Sequence, residues 1–221
     1  MPIKTSDPSA ALPVFSAALK DRTKEHHIRA EHHPLQQALA RGTIDATVWT
    51  AMVIQNRAVH AAMESALAAA ALRDERVARV FAPHHRRLSK FDADLAALGV
   101  AEASRAALPT TQKACAWITE LGARDPLALL GVLYVLEGAT NGGQYLAHPL
   151  RAMLKLGGDA GLLSLHPHGE QTRDLWMGFR ASVDALVLSD IEVDAVIAAA
   201  QETFDLVGRV LDGVKTALAA A

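Results

Sequence analysis

The sequence predicts an all-α, single-domain helical bundle. Three observations carry this. Apolar residues recur at helical spacing along most of the chain, while strand-like alternation is almost absent. Half of the 221 residues are hydrophobic, alanine is abundant, and aromatic residues make up only 5%, a balance that favours helix over sheet. No internal repeat and no long linker divides the chain, which has enough apolar surface for a substantial core.

The first twelve residues, MPIKTSDPSAAL, read as a flexible arm, and residues 13–221 as one domain. A first helix is expected from Pro13 to Ala30, and a short one from Pro34 to near Gly42. Thr43 is placed to cap a long helix from Ile44 to Ala71, with Val48, Met52, Val59, Met63 and Leu67 on its apolar stripe. Short helices are expected over Asp74–Phe81, His84–Leu98 and Thr111–Leu121. Asp125-Pro126 combines a cap with proline at the first helical position. It opens a helix through Leu133 that can continue, bent, past Gly143. Residues 156–169, rich in Gly, His and Pro, read as loop. Two helices close the chain, the last opened by a Ser189/Glu192 capping box.

Net charge and cysteine content narrow the function. A formal charge of -2 argues against a general nucleic-acid binder. The single Cys115 cannot form an internal disulfide, which suits a reducing compartment. The first residues lack a secretion-signal core, and no apolar run is long enough to cross a bilayer. The expected location is cytoplasmic, without a membrane partner.

Two stretches carry candidate chemistry. In LYVLEGATNGGQYL, Gly138, Gly142 and Gly143 sit inside a helical pattern, although each glycine costs a helix about 1 kcal/mol. Gly138 and Gly142 are four apart and share one face. A bare face admits either a flat ligand or a closely packed second helix. In LKDRTKEHHIRAE, His27 and Glu31 are also four apart. An imidazole can bind a metal through one nitrogen while a carboxylate orients the other. His26 competes with His27, but adjacent helical residues point about 100° apart, so one of the two faces a given pocket. His32, His33, His84, His85, His166 and His168 read as solvated surface, and His60 with Glu64 as an ordinary helix contact.

Together these stretches resemble the haem oxygenase family, especially its bacterial biliverdin-forming members. The resemblance runs from about Leu19 to the last helix. LKDRTKEHHIRAE resembles the family's proximal helix and puts the iron ligand on His27, with Glu31 beside it and Lys20 near the haem propionates. VLEGATNGGQ resembles the distal helix, whose glycines lie over haem. It implies roles for Gly138, Gly142 and neighbouring Gly143 in binding, and for Gly138, Ala139 and Gly142 in the oxygen pocket. DLWMGFRASVDAL with IAAAQETFDLV resembles the last two helices and makes Arg180 a propionate clamp.

The resemblance implies haem as both substrate and cofactor, consumed with O2 to give biliverdin, carbon monoxide and ferrous iron. Electrons would come from a ferredoxin or flavin reductase, because no nucleotide-binding fingerprint is visible. The sequence departs from the family at Ala139, where many relatives carry Asp or Ser, and at Asn141, where many bacterial relatives have Leu. Trp49 and His60 replace frequent tyrosines. These changes motivate an alternative, a non-catalytic haem carrier or sensor on the same fold. A dimetal carboxylate bundle is disfavoured, since the chain has no Glu-x-x-His pair.

Overall fold

A computed structural model describes residues 14–220; the expected arm at 1–12 lies outside them. The described residues form nine α-helices and no strand. In order these are α1 (Phe15–Glu31), α2 (Pro34–Ala40), α3 (Ala46–Ala71), α4 (Glu75–Val80), α5 (Leu88–Ala97), α6 (Pro109–Arg124), α7 (Leu129–Met153), α8 (Thr172–Asp184) and α9 (Asp190–Ala219). Single 3-10 turns occur at Pro83–His85, Glu102–Ser104 and Gly169–Gln171.

The long helices organise the packing. Helix α7 is buried on all sides from Leu129 to Glu137, as its nearly unbroken apolar run requires. It lies against α9, which also packs on α1, α3 and α6. One apolar cluster joins Met63 and Leu67 of α3, Ile118 of α6, Leu129 and Leu133 of α7, and Ile197 of α9. A second cluster gathers Trp49, Phe91, Leu95, Leu150, Leu162 and Leu211. Truncating one such leucine to alanine costs about 2–5 kcal/mol. Gly131 sets the close approach of α7 to α9. A Cβ there would stand 2.1 Å from the Val196 carbonyl oxygen.

Three expected helix starts move, each for a local reason. Helix α3 is capped by Asp45, whose carboxylate accepts from Val48 N–H at 2.8 Å; the Thr43 hydroxyl instead donates back to the Ala38 carbonyl. Helix α5 begins at Leu88, not His84. The buried Glu64 carboxylate accepts from Arg87 and Leu88 N–H at 2.7 and 3.0 Å and caps α5 from across the fold. Helix α7 starts at Leu129. Asp125 accepts from Ala128 N–H at 3.2 Å, and a tight turn precedes the helix. The Ser189/Glu192 capping box forms as expected.

Candidate functional site

Helices α1 and α7 both pack on α8 and α9 more than on each other. They approach at one end, where the Thr23 hydroxyl and the Arg180 guanidinium lie close enough to the buried Tyr134 hydroxyl to affect its ionisation. Burial dominates there and pushes the phenol up, so the group remains a neutral O–H. Beyond α1, Gly42 rests against Pro149 of α7. Helix α9 packs against both α1 and α7.

On the α1 side, Lys20, Thr23, His27 and Glu31 fall on one helical stripe. The His27 side chain is 53% exposed, and its Nδ1 stands 3.5 Å from a Glu31 carboxylate oxygen. A proton held on Nδ1 by that carboxylate leaves the Nε2 lone pair free. Phe204 of α9 meets the His27 ring edge-on at 5.5 Å between centroids. His26 is engaged elsewhere: its Nδ1 lies 3.2 Å from Asp205, which also accepts from Arg29 at 3.0 Å. The two histidines thus differ in their partners.

On the α7 side the glycines separate. Gly142 is exposed, and a Cβ there would meet nothing within 4 Å. At Gly138 a Cβ would stand 3.3 Å from the Trp176 ring. Trp176 stacks on Phe179 and lies beside Tyr134, forming an aromatic wall. Gly143 departs from its expected role. It is buried, and a Cβ would fall 1.8 Å from the Leu165 carbonyl oxygen. Its lack of a side chain serves the close packing of α7 on Leu165. Ala139 is exposed and apolar. Thr140 donates to the Glu137 carbonyl and Asn141 to the Gly138 carbonyl, tying both side chains to their own helix.

Arg180 is half-buried. Its Nε and one terminal nitrogen donate to Ser16 Oγ at 3.3 and 3.2 Å, and Ser16 is itself held by Asp184 at 2.7 and 2.8 Å. The guanidinium is thus anchored at the start of α1, with donors left over. Lys20 is exposed one turn further along.

The expectation of solvated surface fails for His33, whose side chain is 9% exposed and caps α2, and for His84, His85, His166 and His168. His85 is 1% exposed, the His168 side chain 5% and that of His166 14%, while His84 is half-buried. His168 Nε2 lies 2.7 Å from one oxygen of Glu137, itself 1% exposed. Arg87, also buried, donates to the Leu136 carbonyl at 2.7 Å and lies 3.2 Å from His60 Nε2. His60 and Glu64 are likewise buried and belong to this network. Burial pushes the His85 imidazole down to about 4 and lowers His84, so both rings are neutral near pH 7. The pull of Glu137 on these rings is smaller and opposite in sign. Glu137 itself is lowered despite its burial, by the His168 hydrogen bond and the Arg87 charge. A glutamate inside an otherwise apolar helical run was the one sequence signal for this network, because such a charge needs a buried partner.

The sequence profile described as Heme oxygenase matches residues 14–213. A comparison with functionally curated proteins gives no match. Among solved structures, the chain is similar to heme oxygenase-2 from Synechocystis sp. PCC 6803 in complex with heme and NO. The TM-score is 0.86 and the identity 19%, over 94% of this chain and 87% of that one. It is similar to heme oxygenase from Leptospira interrogans, with TM-score 0.83 and 20% identity over 90% and 98% of the two chains. It also resembles a domain of unknown function with a heme oxygenase-like fold from Shewanella denitrificans, with TM-score 0.74 and 14% identity over 95% of each. No described helix is long and apolar enough to cross a membrane. With the profile spanning most of its length, the chain belongs to the haem oxygenase family.

Proposed function

We propose that this protein is a haem oxygenase that binds haem through His27 and cleaves it to biliverdin, carbon monoxide and ferrous iron. The observation that carries this reading is an accessible His27, oriented by Glu31, together with open space at Gly142. The residues present fit the group. His27 offers a free nitrogen, and a Cβ at the exposed Gly142 would meet nothing within 4 Å.

When bound, haem supplies the iron that activates O2 and the macrocycle that is opened. The protein supplies ligation, orientation and a restricted pocket. Glu31, 3.5 Å from Nδ1, would orient the His27 ring. Arg180, anchored on Ser16 and Asp184, is the propionate clamp, and Lys20 adds a mobile positive charge nearby. The clamp sets the rotation of the ring and hence the position cleaved. Phe204 and the Trp176 wall give apolar contact. The Ala139 side chain offers no donor or acceptor, and the Asn141 amide is tied to the Gly138 carbonyl, so protons would come through solvent. Electrons come from a separate ferredoxin or flavin reductase, working with a cytoplasmic enzyme.

Ala139 is also the observation that favours the second reading, a haem carrier or sensor. A carrier binds haem through the same His27 and returns it intact, so only turnover separates the two. The binding half of the proposal is tested by hemin titration. His27→Ala abolishes the histidine-ligated spectrum, with imidazole restoring it, while His26→Ala leaves it in place. Loss in His26→Ala with an unchanged His27→Ala spectrum would overturn the assignment.

A further inference from the structure

Among the atoms of the buried histidine network with no hydrogen-bond partner are His84 Nε2, His85 Nε2 and Glu137 Oε2. One ligand atom from each of these three residues lies within 4.8 Å of the other two. Buried polar atoms are nearly always paired, so such orphans on three residues of one cluster are unusual. The rings of His84 and His85 are 4.1 Å apart between centroids. The other Glu137 oxygen is held by His168 Nε2 at 2.7 Å, which leaves Oε2 unpaired. A cavity of about 270 Å³ adjoins the cluster at His84 and His168; Gln171 and the cations Arg86, Arg87 and Lys90 also line it.

We propose that His84, His85 and Glu137 form a second metal site, separate from the proposed haem site, for a first-row divalent cation. Two imidazoles and one carboxylate are the donor set of such ions, and the cavity leaves room for further ligands. His168 acts from behind by orienting the carboxylate, as partners of metal ligands commonly do. Arg87 opposes a cation, and Glu64 and Glu137 offset that charge. Metal–nitrogen distances of about 2.0–2.1 Å require the three donors to draw together slightly. The ion would tie the Pro83–His85 turn to α7 one residue before Gly138.

The site carries one specific demand. His85 Nδ1 accepts from Ala82 N–H at 3.0 Å, which places the ring proton on Nε2. Ligation through Nε2 moves that proton to Nδ1 and opens the Ala82 hydrogen bond, so the turn must shift when the ion binds.

The test is a Co2+ titration of the full haem-free chain, followed by visible absorption and repeated with Zn2+ by calorimetry. The expected result is one site per chain, weakened at least tenfold by His84→Asn and by Glu137→Gln. His84 is only half-buried, so His84→Asn retains the fold and keeps the test informative if Glu137→Gln does not; circular dichroism checks both. The His26→Ala, His27→Ala double variant controls for the exposed histidines and keeps the same Co2+ affinity. The Ala82 amide resonance shifts on binding. No binding, or binding that survives His84→Asn, or loss in the double variant instead, would overturn the site. An unmoved Ala82 amide would remove His85 from it.

Discussion

Adjacent glycines on α7 give opposite responses to the same methyl group. At Gly142 a Cβ enters open space. Gly142→Ala then gains the helix propensity difference of about 1 kcal/mol in the haem-free protein. For a chain of this size that raises Tm by roughly 2–4 °C. At Gly143 the same change puts a Cβ 1.8 Å from the Leu165 carbonyl oxygen, against ordinary C···O contacts of about 3.3 Å or more. The backbone of 162–165 would have to retreat by more than an ångström. It is not free to do so. Leu163 and Ser164 N–H both donate to the fully buried Asp94 carboxylate at 2.7 Å, and Trp49 holds the Gly161 carbonyl at 2.9 Å. Overpacking against such an anchored segment costs about 1–3 kcal/mol or more, which exceeds the propensity gain. Gly143→Ala is therefore a net loss in stability. Urea or thermal unfolding of both variants, followed by circular dichroism, reads the signs directly. Equal effects at the two positions, or destabilisation by Gly142→Ala, would refute this placement of the glycines.

The remaining predictions concern function and pH. Gly142→Val leaves a folded helical protein but blocks turnover, because its side chain would fill the space proposed for haem; normal turnover would remove Gly142 from the proposed pocket. Arg180→Ala still binds hemin but changes the ratio of biliverdin isomers, and Lys20→Ala does so more weakly. Chromatography of the products decides it, and an unchanged ratio in the double variant removes both from the clamp. His60 is held well below its ordinary value, first by burial and then by Arg87. The unfolded chain then binds a proton that the native state refuses, so this group costs stability as pH falls below about 6.5. His60→Gln keeps an acceptor for Arg87 and flattens that slope in urea midpoints between pH 7 and 5; an unaltered slope would exclude His60 as its source.

Local signals were legible in the sequence where partners are close along the chain. The capping box at Ser189 and Glu192 depends on residues three apart, and it forms as read. The proximity of His27 to Glu31 also follows from helical spacing. Long-range partners were not legible. Glu64 caps α5 from 23 residues away, so a helix start placed at His84 had no local reason to move to Leu88. His84-His85 beside Arg86-Arg87 looks like a polar surface until Glu137, some fifty residues on, is seen to draw the segment inward. Gly143 and Gly142 are indistinguishable as letters, and only Leu165 tells them apart.

The most direct measurement is aerobic turnover. The purified chain is loaded with one equivalent of hemin and reduced in air with ascorbate or a ferredoxin and its reductase, and the pigment is extracted and separated. The account predicts loss of the haem spectrum, release of carbon monoxide and ferrous iron, and a biliverdin product that is absent with His27→Ala. Haem bound through His27 and recovered intact after repeated reduction would contradict it and make the protein a carrier.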